Sequence, residues 1–185
     1  MLKIKSKDLK IKTLHKDKDY GPPCLHEESR QVSFADNLRK IKKFVVKLAR
    51  VMAKYDGVGI AAPQVGRNIQ ICLVADMDGH ELLIMINPKI TKVSEKTNKE
   101  VEGCLSCPGR EVEVERHDWI DIQYDSFDKF DHDSGIGFFV VNTRLSGIAA
   151  RIAQHEIDHL RGKLIIDHYN ESKVAKQVKN IHYKE

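Results

Sequence analysis

The clearest periodic pattern in this 185-residue chain is an apolar stripe that ends near Tyr55. Its apolar side chains recur with helical spacing, namely Ile41, Phe44, Val45, Leu48, Met52 and Tyr55. This spacing puts them on one face of an α-helix, and Asp56-Gly57 is a suitable end for that helix. Upstream, Ser33 and Asp36 have the spacing of a capping box, so we predict that one of them caps the helix.

Five short segments carry patterns that are typical of strands. They are Ile69–Ala75, Leu82–Ile86, the alternating Val112 and Val114, the alternating Ile120, Ile122 and Tyr124, and Gly137–Val141. Polar turns such as Asp76-Met77-Asp78-Gly79 separate them. Short strands joined by such turns favour antiparallel pairing over crossover connections.

A second helix is predicted from Ser146 to Gly162, with Ile148, Ile152, His155 and His159 on one face. Residues 1–30 are polar and irregular, and residues 170–185 form a basic tail that we predict to be helical. The chain is therefore predicted to be a single α+β domain over residues 1–185, with this helix at its centre, packed against small antiparallel β-sheets.

Composition and charge exclude several classes of protein. Hydrophobic residues make up 41% and charged residues 31% of the chain, which is ordinary for a globular domain. No apolar run approaches the ~20 residues that span a bilayer, and Met1–Lys12 lacks the apolar core of a signal peptide. A net charge of +4 is too mild to indicate nucleic acid. The four cysteines are too sparse for a disulfide scaffold, so we expect free thiols in a reducing compartment.

The segment His155-Glu156-Ile157-Asp158-His159 carries the strongest chemical signal. Two histidines four residues apart on a helix can reach one metal ion, with Glu156 beside the open coordination position. The alternative is a solvated charged helix face, but the histidine face is otherwise apolar, where unpaired imidazoles would be costly. Ile165 stands where the third histidine of some metal peptidases would fall. Other metal peptidases take a carboxylate ligand from a later helix, but Glu171 lies early among the residues that follow His159. The third ligand is therefore expected upstream.

Cys104 is a candidate for that ligand, within Glu102-Gly103-Cys104-Leu105-Ser106-Cys107. Its thiolate suits zinc or iron, and Gly103 is expected to permit a tight turn that directs Cys104 inward. Two alternatives remain open. One is a redox pair of Cys104 and Cys107, and the other is a structural zinc site of these two cysteines with His155 and His159.

The segment Gly57–Gly66 formally matches the G-x-G-x-x-A fingerprint of dinucleotide-binding proteins. That fingerprint follows a strand, whereas a helix precedes this one, and Pro63 disfavours helical geometry at Ala62. Two interpretations remain. The segment is a glycine hinge that ends the first helix, or it is a strip of small residues that a substrate can approach, with Gln64 supplying an amide donor.

Together these segments resemble the peptide deformylases, metallohydrolases that act on a linear amide and remove the formyl group from the N-terminal formylmethionine of newly made proteins. The family patterns G-φ-G-φ-A-A-x-Q, E-G-C-L-S and Q-H-E-x-D-H-L-x-G are each complete here, in Gly57–Gln64, Glu102–Ser106 and Gln154–Gly162. The resemblance runs from Gln31 to Tyr169. Cys107 departs from the family's usual apolar residue and Gly109–Val114 is unusually charged, and both bear on peptide preference.

The resemblance implies that Cys104, His155 and His159 bind one divalent metal ion, Fe²⁺ in most members, with Zn²⁺ or Ni²⁺ able to substitute. It implies Glu156 as the general base, and the Leu105 backbone N–H and the Gln64 amide as donors to the developing oxyanion.

The resemblance also implies the residues that surround the reacting groups. Val58, Gly59 and Ile60 would bind the peptide as an added strand, with Gly103 also on the substrate side. An ion pair of Glu102 and Arg116 would fix the Cys104 loop. The alternative is an exposed pair of little energetic value.

The implied substrates are N-formylmethionyl nascent peptides, in the cytoplasm or in an organelle. Lys173, Lys176, Lys179 and Lys184 of the basic tail either contact the ribosome or form a solvated helix face. No membrane partner and no stable nucleic-acid complex are expected. A zinc endopeptidase and a non-catalytic zinc module are the competing classes, and formate release distinguishes them from a deformylase.

Overall fold

A computed structural model describes residues 9–14, 21–33, 37–75, 81–127 and 138–171. Its α-helices are Leu38–Lys54 (α1), Gly147–Leu160 (α2) and Ile165–Glu171 (α3). Its strands are Gly59–Ala61 (β1), Ile71–Ala75 (β2), Leu82–Val93 (β3), Thr97–Gly103 (β4), Glu111–His117 (β5), Trp119–Ser126 (β6) and Phe139–Ser146 (β7). None of the helices in these ranges is long and apolar enough to cross a membrane.

Helix α1 forms where the apolar stripe predicts it, but its cap differs from the prediction. The helix begins at Leu38, and the Asn37 side chain accepts a hydrogen bond from the Lys40 backbone N–H at 3.1 Å. Because a cap must directly precede the first helical residue, Ser33 and Asp36 lie too early, and the predicted cap is wrong. Tyr55 also leaves the buried stripe, since it is the C-cap residue and 45% exposed.

All strand pairs between the named strands are antiparallel, as predicted. Five strands form one sheet in the order β1-β2-β3-β6-β7, and β4 pairs with β5 in a separate hairpin. Strands β1 and β4 were not predicted. Strand β3 is 12 residues long because its first part pairs with β2 and its remainder with β6, with a change of register after Ile86. The predicted turn at residues 76–79 and the start of Gly137–Val141 lie outside the described ranges.

The five-stranded sheet is covered on both faces, which explains the continuous apolar run of β2. Ile71 and Leu73 point into a cluster with the buried side of α1. Cys72 and Val74 alternate with them and point into a second cluster with α2. Since both faces are buried, β2 needs no polar positions. The predicted central helix is therefore α2, which packs across the sheet.

A third cluster joins the hairpin to helix α3. It contains Val112 and Val114 of β5, Leu164–Ile166 at the start of α3, and Cys107. Helix α3 covers only the beginning of the tail that was predicted to be helical. Residues 172–185 lie outside the described ranges.

Candidate metal centre and cleft

Helix α2 and the end of the β4–β5 hairpin bring Cys104, His155 and His159 together. One ligand atom from each residue lies within 4.8 Å of the other two. Cys104 Sγ is 3.2 Å from His159 Nε2, and the two imidazole rings pack edge to face with centroids 4.9 Å apart. One thiolate and two imidazoles around a common point are a ligand set for zinc, iron or nickel.

The turn that carries Cys104 is closed by its own backbone. The Cys107 N–H donates to the Cys104 carbonyl at 2.9 Å, and the Ser106 N–H points to Cys104 Sγ at 3.4 Å. Gly103 does not make this turn. It is the last residue of β4, its φ is not positive, and a Cβ there would meet nothing within 4 Å. The predicted role of Gly103 in turning the backbone is therefore wrong, and Gly109, with a φ of 74°, is the left-handed residue of the loop.

Cys107 lies beside the ligand group but outside it. Its side chain is 1% exposed and packs in the third cluster. A hydrogen bond from the Cys107 thiol lowers the pKa of Cys104 well below its ordinary value, and nearby His159 adds to this effect, although burial opposes it. The same hydrogen bond and burial raise the pKa of Cys107. Among the described residues, the donor atoms that lie within 4.8 Å of one another are those of Cys104, His155 and His159 and do not include Cys107, which argues against a four-ligand zinc site.

Glu102 orients His155. Its Oε2 is 2.9 Å from His155 Nδ1, which leaves His155 Nε2 facing Cys104. Such a carboxylate partner fixes the tautomer of a metal-binding imidazole. The Arg116 guanidinium donates from Nε and Nη2 to the two Glu102 oxygens, both at 3.0 Å. Glu102 is 7% exposed and Arg116 is 5% exposed. The predicted ion pair is therefore present and buried, and the alternative of an exposed pair is wrong.

The charges around His155 suit a cation. Burial opposes ionisation of Glu102, but hydrogen bonds from His155 and Arg116 lower its pKa to about 2. Burial also opposes a charge on His155, yet hydrogen bonds with Cys104 and Glu102 raise its pKa to about 10. A positive charge is therefore favoured between the thiolate and the carboxylate. A divalent metal ion bound there satisfies the same electrostatic demand.

Glu156 is a buried carboxyl group at the wall of the cleft. It is 4% exposed, and its Oε2 has no hydrogen-bond partner among the described residues. Burial raises its pKa to about 7, although His155 and His159 oppose this shift. Gly59 of β1 packs directly against it, because a Cβ at Gly59 would lie 2.4 Å from Glu156 Oε1. The group is thus held in a tight space with a proton affinity suited to proton transfer near neutral pH.

Gln64 lies beside Cys104, in a 3₁₀ turn that follows β1. Its Oε1 accepts from the Ala61 N–H at 2.8 Å, which fixes the direction of the amide. Its Nε2 donates to Ser106 Oγ at 3.2 Å and is 3.7 Å from Cys104 Sγ. The side chain is therefore held as a donor beside the ligand group.

A cleft of about 460 Å³ opens over this centre. The predicted site residues that line it are Val58, Gly59, Gln64, Glu102, Gly103, Cys104, Leu105, His155 and Glu156. Ile60 does not line it, because its side chain is buried in the α1 cluster. Strand β1 forms one edge of the five-stranded sheet and pairs only with β2 among the named strands. An extended peptide can add to such an edge.

Two further charged residues belong to the site and were not singled out from the sequence. Asp158 accepts from Arg116 Nη1 at 2.5 Å and from His168 Nε2 at 2.9 Å. Burial raises its pKa, but these contacts outweigh burial and lower it overall. Arg151 donates to Glu102 Oε1 at 2.6 Å. The sequence offers one indication of Arg151, since a charged residue stands four positions before His155 on a helix that has an apolar face.

Comparison with known proteins identifies relatives over most of the chain. The family model described as Polypeptide deformylase matches residues 16–175. A peptide deformylase of Thermotoga sp. (strain RQ2) is 40% identical over 155 residues, which cover 83% of this chain and 86% of that protein. Peptide deformylase 1B, chloroplastic, of Oryza sativa subsp. japonica is 35% identical and covers 86% of this chain and 56% of that protein. The Met-Ala-Ser-bound crystal structure of class I type b peptide deformylase from Acinetobacter baumannii has a TM-score of 0.73 and 27% identity, over 89% of this chain and 99% of that one.

Proposed function

Because this chain belongs to the polypeptide deformylase family, we propose that Cys104, His155 and His159 hold the divalent metal ion of a deformylase centre. The protein is a metal-dependent hydrolase that removes the N-formyl group from newly made proteins and releases formate. The observation that carries the assignment of the ligands is the approach of their three donor atoms to within 4.8 Å, beside a buried carboxyl group in a cleft.

The donor set fits a catalytic metal site. A thiolate, two imidazoles and no fourth protein ligand among the described residues leave one position open for water or substrate. Fe²⁺ is the metal that we propose, and Zn²⁺ or Ni²⁺ would bind the same ligands. When bound, the ion supplies Lewis acidity, which makes a water molecule acidic enough to be deprotonated near neutral pH.

We assign proton transfer to Glu156. Its carboxylate takes a proton from the attacking water at one oxygen, and the same oxygen returns it to the leaving amine, so that the amide bond breaks and formate is released. Its pKa of about 7 and its unpartnered Oε2 support this role. The contact with Gly59 restricts where the carboxylate can move.

The oxyanion that develops on the formyl oxygen needs hydrogen-bond donors at a fixed position. The Gln64 side-chain amide, held by Ala61 and Ser106, is one donor, and the backbone N–H of Leu105 in the Cys104 turn is the other. A preorganised donor of this kind typically contributes about 10²–10³ in rate.

The peptide is proposed to add as a strand beside Val58, Gly59 and Ile60, with Gly103 also lining the cleft. The buried Ile60 contributes only its backbone. N-formylmethionyl nascent peptides are the proposed substrates. The Acinetobacter baumannii relative is bound to Met-Ala-Ser, the sequence that would remain after a formyl group is removed from formyl-Met-Ala-Ser.

The cytoplasm is the proposed compartment, with an organelle as the alternative that the chloroplastic rice relative illustrates. Ribosome contact through the basic tail stays a prediction, because residues 172–185 lie outside the described ranges.

The test is an assay of the Ni²⁺-loaded protein with formyl-Met-Ala-Ser, in which formate and free amine are measured together. We expect one formate for each new amine. We expect no reaction with acetyl-Met-Ala-Ser, since we propose that the centre has room for a formyl carbon, which carries only hydrogen, and none for an added methyl group. Release of internal fragments would indicate an endopeptidase. Absence of any hydrolysis with one metal ion bound would indicate a non-catalytic zinc module.

A further inference from the structure

Arg151 is a buried arginine that the proposed reaction does not use. It lies on α2, one helical turn before His155, and is 5% exposed. Its Nη1 donates to Glu102 Oε1 at 2.6 Å and to the Val114 carbonyl at 3.2 Å. Its Nη2 donates to the Asn98 carbonyl at 3.1 Å and to Asn98 Oδ1, and its Nε is 3.2 Å from Glu100 Oε2. All three guanidinium nitrogens are therefore partnered.

These contacts connect the two structures that carry the ligands. Asn98, Glu100 and Glu102 lie on β4, which ends next to Cys104, and Val114 lies on its partner β5. Arg151 itself lies on the helix that carries His155 and His159. One planar side chain thus ties the hairpin of the thiolate ligand to the helix of both imidazole ligands.

Arg151 also completes the environment of Glu102. Glu102 Oε1 accepts from Arg116 Nε and Arg151 Nη1, whereas Oε2 faces Arg116 Nη2 and His155 Nδ1. With Oε1 occupied by two guanidinium groups, Oε2 remains directed to the imidazole. Loss of Arg151 would remove one of the two donors to Oε1 of this buried carboxylate, and this weakens the constraint on its orientation.

We propose that Arg151 is a positioning residue of the metal centre, which clamps the β4–β5 hairpin onto α2 and fixes Glu102, so that Cys104 and His155 reach the same ion. This inference rests on the proposed function. An arginine is suited to the task because its rigid fork presents five N–H donors from three nitrogens in fixed directions, whereas a lysine has a single ammonium nitrogen.

The test compares Arg151→Met and Arg151→Lys with the control Arg144→Met. Arg144 also forms a two-pronged ion pair, with Asp121, and its guanidinium stacks on the Trp119 ring, but it lies on β7 and is 54% exposed. The metal-free proteins are titrated with Zn²⁺ against a chelator, and circular dichroism reports whether each is folded. This measurement reads metal binding without any need for catalysis.

We expect Arg151→Met to weaken Zn²⁺ binding by about 10–100-fold, the range typical of groups that orient metal ligands, and Arg144→Met to change it by less than about threefold. Arg151→Lys should weaken it by about 3–10-fold, because one ammonium can reach Glu102 but not also Asn98 and Val114. The proposal is overturned if a folded Arg151→Met binds Zn²⁺ within about threefold of the parent protein.

If Arg151→Met does not fold, the test rests on Arg151→Lys. A Zn²⁺ affinity of Arg151→Lys within about twofold of the parent then overturns the proposal. The parent protein separates this inference from the proposed function. A parent that binds no Zn²⁺ or releases no formate contradicts the proposed function. If the parent binds Zn²⁺ and releases formate, and Arg151→Met binds Zn²⁺ as tightly as the parent, only the proposed role of Arg151 is contradicted.

Discussion

The contact between Gly59 and Glu156 can be tested by adding one methyl group. In Gly59→Ala the new Cβ would lie 2.4 Å from Glu156 Oε1 and 2.7 Å from Ile152 Cγ2, whereas ordinary contacts begin near 3.4 Å. The backbone does not oppose the substitution, since φ at Gly59 is not positive. The new methyl group must therefore displace its neighbours, and restoring an ordinary contact would move the Glu156 carboxylate by about 1 Å and Ile152 by somewhat less.

This displacement has two expected consequences. A misplacement of about 1 Å of a reacting group costs roughly 10²-fold in rate, so kcat for formate release should fall by about that factor. Overpacking of a buried contact costs about 1–3 kcal/mol, of which the lower entropy of the unfolded alanine chain offsets about 0.4–1 kcal/mol. The free energy of unfolding should therefore fall by up to about 2.6 kcal/mol, with about 1.3 kcal/mol as the central value.

The matched control for stability is Gly103→Ala. Gly103 also lies in a strand, its φ is not positive, and a Cβ there would meet nothing within 4 Å. Only the lower entropy of the unfolded alanine chain then affects stability, so the free energy of unfolding of this variant should rise by about 0.4–1 kcal/mol. Urea unfolding of the metal-loaded proteins gives both free energies, and initial rates of formate release give kcat. If Gly59→Ala keeps kcat within about threefold of the parent, then Glu156 is not confined as the structure indicates, and the reasoning is refuted.

Four other substitutions test the centre. Glu156→Ala should keep one metal ion per chain while its activity falls by about 10²–10⁴, because a general base and not a ligand is removed. Metal content is measured beside the kinetics, and loss of the metal would contradict this role. Cys104→Ser should lose metal affinity and nearly all activity, whereas Cys107→Ser should keep the metal and most activity at a cost of about 1 kcal/mol in stability. Equal metal loss in both cysteine variants would indicate a closed four-ligand site. The pKa of Glu102 falls on folding from an ordinary 4.5 to about 2, so its ionised form contributes about 3 kcal/mol to stability above pH 4.5, which is lost as the pH falls towards 2. In urea unfolding of the metal-free proteins, the stability difference between the parent and Glu102→Gln should therefore shrink over this range, and a constant difference would refute the pKa shift.

The chain's local patterns determined the helices but only part of the sheets. Helices α1 and α2 depend on contacts within a few residues, and their apolar spacing predicted both to within a few positions. Strand β1 has three residues, and β4 is mostly polar, so neither shows a strand pattern. They form because β2 and β5 pair with them, and such pairing is a property of the tertiary structure.

The same division applies to the site. The spacing of His155 and His159 indicates a metal site by itself, because both lie on one helix face. Cys104 is 51 residues before His155 in the sequence. Its thiolate chemistry made it a candidate ligand, and the family resemblance selected it over the alternatives. The role of Arg151 could be recognised only from the tertiary structure, because its partner Glu102 lies on β4, a strand that no pattern predicted. The contact of Gly59 also needed the tertiary structure, because Glu156 lies on a helix from a distant part of the chain. Local spacing thus identified the two histidines that could bind a metal, whereas long-range packing decided that Cys104 lies beside them and which side chains hold the three in place.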